Sequence, residues 1–103
     1  MPRLELSARQ RKFLRGLAHG YEPIVHLGKS GLTDAVAAQI DRALDDHELI
    51  KLRYVDGKEE KNALAAAIEE RLSCSEVGRV GHVSVFYRPQ ADPEKRKIHL
   101  LGA

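Results

Sequence analysis

The sequence has little of what small proteins use to reinforce a fold with covalent bonds or a metal ion. Its one cysteine, Cys74, cannot form a disulfide within the chain and is one thiolate short of the smallest two-cysteine metal site. The five histidines are scattered along the chain, a distribution typical of structural or surface roles. We therefore expect no cofactor and no metal, and hydrophobic packing must stabilise the fold.

Long hydrophobic runs are also missing. No apolar run approaches 18 residues, so a membrane span is not expected. The N-terminal segment MPRLELSARQRKF has no continuous apolar stretch and no small-residue cleavage site, so we expect no secretory signal and a cytoplasmic protein. With 103 residues, of which 43% are hydrophobic and 31% charged, the chain has the composition of a soluble domain with a single core, and we expect a monomer.

Positive charge is concentrated at the two ends of the chain. Residues 1–31 hold six Lys and Arg against two acids, and residues 77–103 hold five against two. Residues 32–76 hold six against eleven, so the net charge of +2 hides a basic, acidic, basic pattern. A fold that brings both ends together would place a basic face opposite an acidic one, which suits a polyanionic partner.

The hydrophobic periodicity alternates between that of helices and that of strands. Helices are predicted over Ser7–His19, from Thr33 to about Asp46, and from about Lys58 to Ser73. Strands are predicted over Ile24–Leu27, His47–Tyr54, Glu76–Val80 and His82–Arg88. Strands joined by helices usually run parallel and a hairpin adds an antiparallel strand, so this α-β-α-β-α-β-β order predicts a two-layer α/β sandwich with a mixed four-stranded sheet. Residues 1–90 form the predicted domain, and residues 91–103 form a basic, flexible tail.

The tetrad Gly28-Lys29-Ser30-Gly31 stands between a predicted buried strand and a helix N-terminus. Its glycines allow a sharp turn and the close approach of a ligand to the main chain. Exposed N–H groups, the start of the next helix and the charge of Lys29 favour an anion there, and a phosphate would fit. Taken alone, the tetrad is more often a plain turn with an incidental lysine.

Catalytic motifs are incomplete wherever they begin. Gly28-Lys29-Ser30 imitates the end of a nucleotide-binding P-loop, but Pro23 occupies the position of the first glycine. His47-Glu48 begins like a zinc-protease motif, but Lys51 stands in place of the second histidine. The sequence therefore predicts neither nucleotide binding nor enzymatic activity.

One face of the first predicted helix is uniformly positive, whereas a solvated helix face usually mixes signs. Its cations, which no acid within the helix offsets, are Arg9, Arg11, Lys12 and Arg15. Such a face suits contacts with phosphates, which give affinity without sequence specificity.

Aromatic platforms for base stacking are scarce in the sequence, which has two Phe, three Tyr and no Trp. Phe13 and Phe86 are expected in the core. The remaining, weak candidates for stacking are Tyr21, Tyr54 and Tyr87.

Three separated motifs together resemble one family. They are QRKFLRGLAHGYEPIVHLGKSGLT at 10–33, ALDDHELIKLR at 43–53 and VGRVGHVSVFYRP at 77–89. In this order and spacing they resemble the YhbY family, the single-domain form of the CRM domain (chloroplast RNA splicing and ribosome maturation). The resemblance spans roughly residues 7–89. It implies an RNA-binding domain with a fold like the C-terminal domain of translation initiation factor three, associated with the precursor of the large ribosomal subunit.

The resemblance also implies which residues contact RNA. The GxxG loop of the family falls on Gly28, Lys29, Ser30 and Gly31, and its basic first helix on Arg11, Lys12 and Arg15. Its terminal YRP motif falls on Tyr87, Arg88 and Pro89, which makes Arg88 a further candidate for an outer RNA contact.

Two functional hypotheses follow. The first is a non-catalytic RNA-binding protein that acts in large ribosomal subunit assembly and clamps rRNA phosphates with the GKSG loop and the first helix. The alternative is a protein-interaction adaptor whose acidic central helices bind ribosomal proteins or assembly factors. Its acidic candidates are Glu59, Glu60, Glu69 and Glu70.

Overall fold

The computed structural model describes residues 5–56 and 58–100. Within these residues the helices are α1 (Ala8–Ala18), α2 (Asp34–His47) and α3 (Lys61–Leu72), with short 3-10 turns at Lys58–Glu60 and Pro93–Lys95. The strands are β1 (Val25–Leu27), β2 (Leu49–Tyr54), β3 (Ser75–Val80) and β4 (Val83–Tyr87). The predicted order of elements is confirmed, and each predicted end lies within three residues of the observed one.

Short polar residues fix where the first two helices begin. The Ser7 side chain accepts a hydrogen bond from the Gln10 amide at 3.1 Å, and the Gln10 side chain accepts one from the Ser7 amide at 3.0 Å. This reciprocal pair satisfies two N–H groups at the start of α1. At the start of α2 the Thr33 hydroxyl accepts from the Val36 amide at 3.2 Å.

The sheet has the strand order β1-β2-β4-β3 and is mixed, as predicted. β1 and β2 pair in parallel across the α2 crossover, and β4 pairs antiparallel with both β2 and β3. The hairpin after α3 therefore inserts β4 between β2 and β3, which leaves β1 and β3 as the two edges.

The helices cover both faces of the sheet, so the molecule has three layers where the sequence led us to expect two. Beneath α2 and α3 lies the larger core, which includes Ile50, Leu52 and Phe86. Beneath α1 lies a second core, which includes Leu49 and Val85. Because successive strand residues point to opposite faces, the apolar neighbours Leu49 and Ile50 make both faces of the sheet apolar, and each face needs a helix.

The segment after β4 lies against the domain through one buried carboxylate. Glu48 is fully buried, and its side chain accepts hydrogen bonds from the amides of Gln90 (2.7 Å), Lys97 (2.7 Å) and Ile98 (2.9 Å). Ile98 and Leu100 pack against the core beneath α1. Residues 101–103 of the predicted flexible tail lie outside the described residues.

Candidate functional site

The GKSG loop follows β1 and forms a tight, exposed turn. The Gly31 amide donates a hydrogen bond to the Gly28 carbonyl at 3.0 Å, which closes a four-residue turn with Lys29 and Ser30 at its corner. Both corner residues are exposed. The turn therefore exposes Lys29 and Ser30 to solvent, as predicted, while the Gly31 N–H is engaged within the turn itself.

The two glycines of this loop have different roles in the fold. Gly31 has a φ of +70°, a conformation that is strained for residues with a Cβ. Gly28 has no such φ, and a Cβ built there would meet nothing within 4 Å. The fold therefore requires glycine at Gly31 but not at Gly28, where the missing side chain leaves room above the backbone.

The N-terminus of α2, expected to favour an anion beside this loop, is already occupied by its own polar groups. Thr33 caps the helix. Asp34 in the first turn pairs with Arg71 of α3 at 2.6 Å and adds negative charge at that point. The features that favour a phosphate are therefore the loop itself and Lys29, and the helix end contributes less than expected.

Two of the α1 cations are anchored to the edge strand β3. Arg11 donates to the Glu76 carbonyl at 2.7 Å, and Arg15 donates to the Val77 carbonyl at 3.0 Å. A β-bulge interrupts the β3–β4 pairing between Glu76 and Gly78, so Val77 is the extra residue of the strand. Both arginines therefore stabilise α1 against the bulge, while Arg9 and Lys12 are exposed.

The GKSG loop and the anchored arginines lie at opposite edges of the sheet, whereas a phosphate clamp formed by the loop and the first helix needs the two close together. The loop follows β1, whereas Arg11 and Arg15 contact β3. With neighbouring strands about 4.8 Å apart and about 3.3 Å per residue along a strand, the two groups are separated by roughly 15–20 Å. A phosphate backbone must therefore cross the face of the sheet to reach both.

Basic side chains of the sheet fill the space between the loop and the helix. Leu52 and Tyr54 point into the core beneath α2 and α3, so Lys51 and Arg53, which alternate with them, face the α1 side. His26, the register partner of Arg53, faces the same side from β1. The Lys51 ammonium reaches the His19 carbonyl at the end of α1 at 3.3 Å.

We call these residues, together with the α1 cations Arg9, Arg11, Lys12 and Arg15 and with Lys29 on the exposed turn after β1, the basic face of the protein. The alternation of Lys51 and Arg53 in the sequence already indicated a positively charged strand face, but it did not mark these residues as site residues. The opposite side of the sheet carries a net negative charge, because α2 holds four aspartates against one arginine and the segment Lys58–Leu72 holds four glutamates against three cations. The positive charge on the α1 side therefore comes from residues 1–31 and from β2. The basic C-terminal third does not join it as the prediction required, since Arg88 is paired with Asp41 and Asp45 of α2.

Arg88, expected as an outer contact, is instead engaged within the protein. Its guanidinium donates at 2.9 Å to the side chains of Asp41 and Asp45 and to the Leu72 carbonyl, and at 3.0 Å to the Asp41 carbonyl. The side chain is only 18% exposed. Arg88 therefore joins the end of β4 to α2 and α3, and it lies on the acidic side of the molecule.

Three of the five aromatic side chains differ from expectation. Phe86 is buried as predicted, but Phe13 is 41% exposed and Tyr21 is 43% exposed. Tyr54 and Tyr87 are buried, which removes them as stacking candidates. Burial raises the pKa of Tyr87 to about 12, and the negative charge of Glu48 adds to the rise.

A model of the CRS1/YhbY (CRM) domain matches residues 6–88. The chain belongs to this family. The match includes α1, the GKSG loop and the whole sheet of this CRM domain. The recognition made from the three sequence motifs is thereby confirmed.

Relatives of this CRM domain are named for RNA binding. An RNA-binding protein of Haemophilus influenzae is 43% identical over 96 residues, which are 92% of this chain and 94% of that protein. The Probable RNA-binding protein YqeI of Bacillus subtilis is 34% identical over 96 residues, which are 92% of this chain and 98% of that protein.

A solved structure has the same fold. The solution structure of the hypothetical protein SAV1595 from Staphylococcus aureus superposes with a TM-score of 0.77 at 32% sequence identity. The superposition covers 94% of this chain and 100% of that one, which confirms the α/β fold with three helices and a mixed four-stranded sheet.

Within residues 5–56 and 58–100, no group of three or more His, Cys, Asp or Glu side chains is placed to hold a metal ion. Over the same residues, none of the helices is both long and apolar enough to cross a lipid bilayer.

Proposed function

We propose that this CRM domain binds structured RNA through its basic face and acts, without catalysis, in the assembly of the large ribosomal subunit in the cytoplasm. The observation that supports this most directly is the continuity of positive charge from α1 across the sheet to the GKSG loop. Lys51 and Arg53 bridge the roughly 15–20 Å between the anchored arginines and Lys29. A phosphate backbone laid along this path meets cations at each step.

The contacts fall into two kinds. Lys12, Lys29 and Arg53 are exposed and are the cations that we propose to neutralise phosphates directly. Arg11 and Arg15 each donate one hydrogen bond to a carbonyl of β3. Their guanidinium groups stay positively charged and add to the potential of the basic face. At Gly28 the backbone is open to the close approach of a sugar-phosphate strand. Arg88 is not part of the proposed interface because its guanidinium is engaged with α2 and α3.

The proposal is tested by the salt dependence of RNA affinity. The triple variant Lys12→Gln, Lys29→Gln, Arg53→Gln removes three cations that hold no structural contact in the described residues. On a labelled transcript of large-subunit rRNA, we expect the slope of log K against log[salt] to become shallower by about 2–3, since each lost phosphate contact contributes about 0.7–0.9.

A matched control removes three negative charges from the 3-10 turn before α3 and from α3 itself. The variant Glu59→Gln, Glu60→Gln, Glu70→Gln should leave the slope unchanged. Glu69 is omitted because its carboxylate accepts a hydrogen bond from the Glu76 amide at 2.9 Å. Wild-type affinity that does not change between low and moderate salt, or a basic-face variant that binds like the wild type, contradicts the proposal.

The acidic face favours the adaptor as a second candidate function. If α2 and α3 bind a basic ribosomal protein or assembly factor, the acidic-face variant loses co-sedimentation with the large-subunit precursor while the basic-face variant retains it. RNA binding predicts the reverse. Crosslinking in cells, followed by mapping of the contacted nucleotides, then tests whether the RNA is that of the large-subunit precursor.

A further inference from the structure

An apolar groove lies on the side of α1 that faces away from Arg11 and Arg15. Its volume is about 740 Å³, within the range of about 300–1,000 Å³ that is usual for ligand sites. One wall comes from α1 and the segment after it, with Phe13, Leu17 and Tyr21; the floor comes from β2; and the other wall is Lys97-Ile98-His99.

The groove exposes more apolar surface than packing of α1 requires. Of the α1 residues, Leu14 and Ala18 are buried in the core beneath the helix. The side chains that line the groove, Phe13, Leu17, Tyr21 and Ile24, are each 39–44% exposed. Exposed apolar side chains gathered around one groove and rimmed by polar residues are the arrangement found in ligand-binding grooves. Two of the four are aromatic, and an aromatic ring offers a face on which a nucleobase can stack.

Charge at the rim of the groove selects an anionic partner. Lys51 and Lys97 line it, and both place their ammonium groups against backbone carbonyls, those of His19 and Asp46, so that no carboxylate neutralises them in these contacts. Glu22 is the one acid among the lining residues described. An apolar peptide would bury these cations without compensation, whereas a nucleotide supplies a ring for the groove and phosphates for its rim.

The groove also continues into the basic face. Lys51 lines the groove and faces the α1 side of the sheet together with Arg53. An RNA strand that follows the basic face therefore reaches the groove by passing the C-terminal end of α1, where Lys51 contacts the His19 carbonyl.

We propose that this groove holds an unpaired base of the bound RNA, stacked on Phe13 and Tyr21, while Lys51 and Lys97 contact the flanking phosphates. The inference rests on the proposed RNA-binding function and deepens it, because it makes the preferred RNA one with an unstacked nucleotide next to a paired segment. Phosphate contacts on the basic face position the RNA, and the groove distinguishes a loop or bulge from a continuous duplex.

The test compares two RNA probes of equal length, a hairpin with an unpaired loop and a fully paired duplex. The double variant Phe13→Leu, Tyr21→Leu keeps the groove apolar but removes both rings. We expect it to bind the hairpin about 5–150-fold more weakly, the range that corresponds to the loss of one stacked base, and to bind the duplex unchanged. The salt slope should stay that of the wild type, because no phosphate contact is lost.

A base analogue and a matched control sharpen the result. With 2-aminopurine in the hairpin loop, wild-type binding should quench fluorescence by stacking, and the double variant should not. Val80→Ala, which changes an exposed apolar residue on β3 outside the groove, should behave as the wild type in both assays.

Three outcomes would overturn the inference. The first is equal affinity of the double variant and the wild type for the hairpin. The second is equal loss on hairpin and duplex, which would assign the rings a structural role. The third is a wild type that dimerises in sedimentation and a double variant that does not, which would assign the groove to a second copy of the chain. Failure of the proposed function is distinguishable, because it removes the salt dependence of the wild type itself.

Discussion

The aliphatic part of Arg15 lies directly over Gly78 of the edge strand. A Cβ at Gly78 would stand 2.4 Å from Cδ and 2.9 Å from Cγ of Arg15, closer than atoms can pack. The bulge at Val77 turns Gly78 toward α1, and the missing side chain lets the arginine reach the Val77 carbonyl. The basic face thus depends on a glycine far from the GKSG loop.

Gly78→Ala should displace Arg15 from β3 and loosen α1. We expect the free energy of unfolding to fall by about 1–3 kcal/mol, as for overpacked sites, measured by urea denaturation. Gly16→Ala is the matched control, since Gly16 lies inside α1 with nothing within 4 Å of its Cβ position. That change should stabilise the protein by about 0.5–1 kcal/mol. Equal effects of the two substitutions would contradict this account of Gly78.

The two glycines of the GKSG loop should respond differently to alanine. Gly31→Ala forces a residue with a Cβ to a φ of +70° and should cost about 1–2 kcal/mol of stability. Gly28→Ala should leave stability within about 0.5 kcal/mol but weaken RNA affinity, because the new methyl group stands where the strand is proposed to approach. Unchanged RNA affinity of a stable Gly28→Ala protein would remove Gly28 from the proposed interface.

Arg88 should matter for stability and not for RNA contact. Arg88→Lys keeps the charge but cannot reproduce four hydrogen bonds to α2 and to the end of α3. We expect a loss of about 2–3 kcal/mol in the free energy of unfolding, with the RNA affinity and salt slope of the folded protein unchanged. A normal stability together with a shallower salt slope would return Arg88 to the interface.

Alkaline pH should destabilise the fold through Tyr87. The ordinary pKa is 10.0, and burial raises the pKa of Tyr87 to about 12 in the folded state. Below pH 10 the phenol is protonated in both states, and above it the unfolded chain loses the proton first. The free energy of unfolding therefore falls between about pH 10 and pH 12, by about 1.4 kcal/mol per pH unit.

Tyr87→Phe removes this ionisation while keeping the ring in the core beneath α1. Urea denaturation of both proteins between pH 9 and pH 11.5 should give a flatter curve for the variant. Burial also raises the pKa of Tyr54, which remains in both proteins and contributes equally to the two curves. Curves that run parallel would show that Tyr87 does not titrate as described.

The sequence by itself determined the helices and strands, the place of the GKSG turn and the family. These follow from local patterns: apolar periodicity, the capping residues Ser7 and Thr33, and glycines at turns. The mixed sheet followed too, since the order of elements constrains how strands can pair.

Only the tertiary structure decided which side chains are exposed and free of partners within the protein, and so can contact RNA. Arg11, Arg15 and Arg88 look alike in the sequence, but their partners lie 65, 62 and up to 47 residues away. Phe13 belongs to the apolar stripe of α1, yet only Leu14 and Ala18 of that helix are buried in the core beneath it, and Phe13 is 41% exposed at the apolar groove. Periodicity shows which face of its helix or strand a side chain lies on. Whether that side chain is buried or hydrogen-bonded depends on which distant residues of the chain pack against that face.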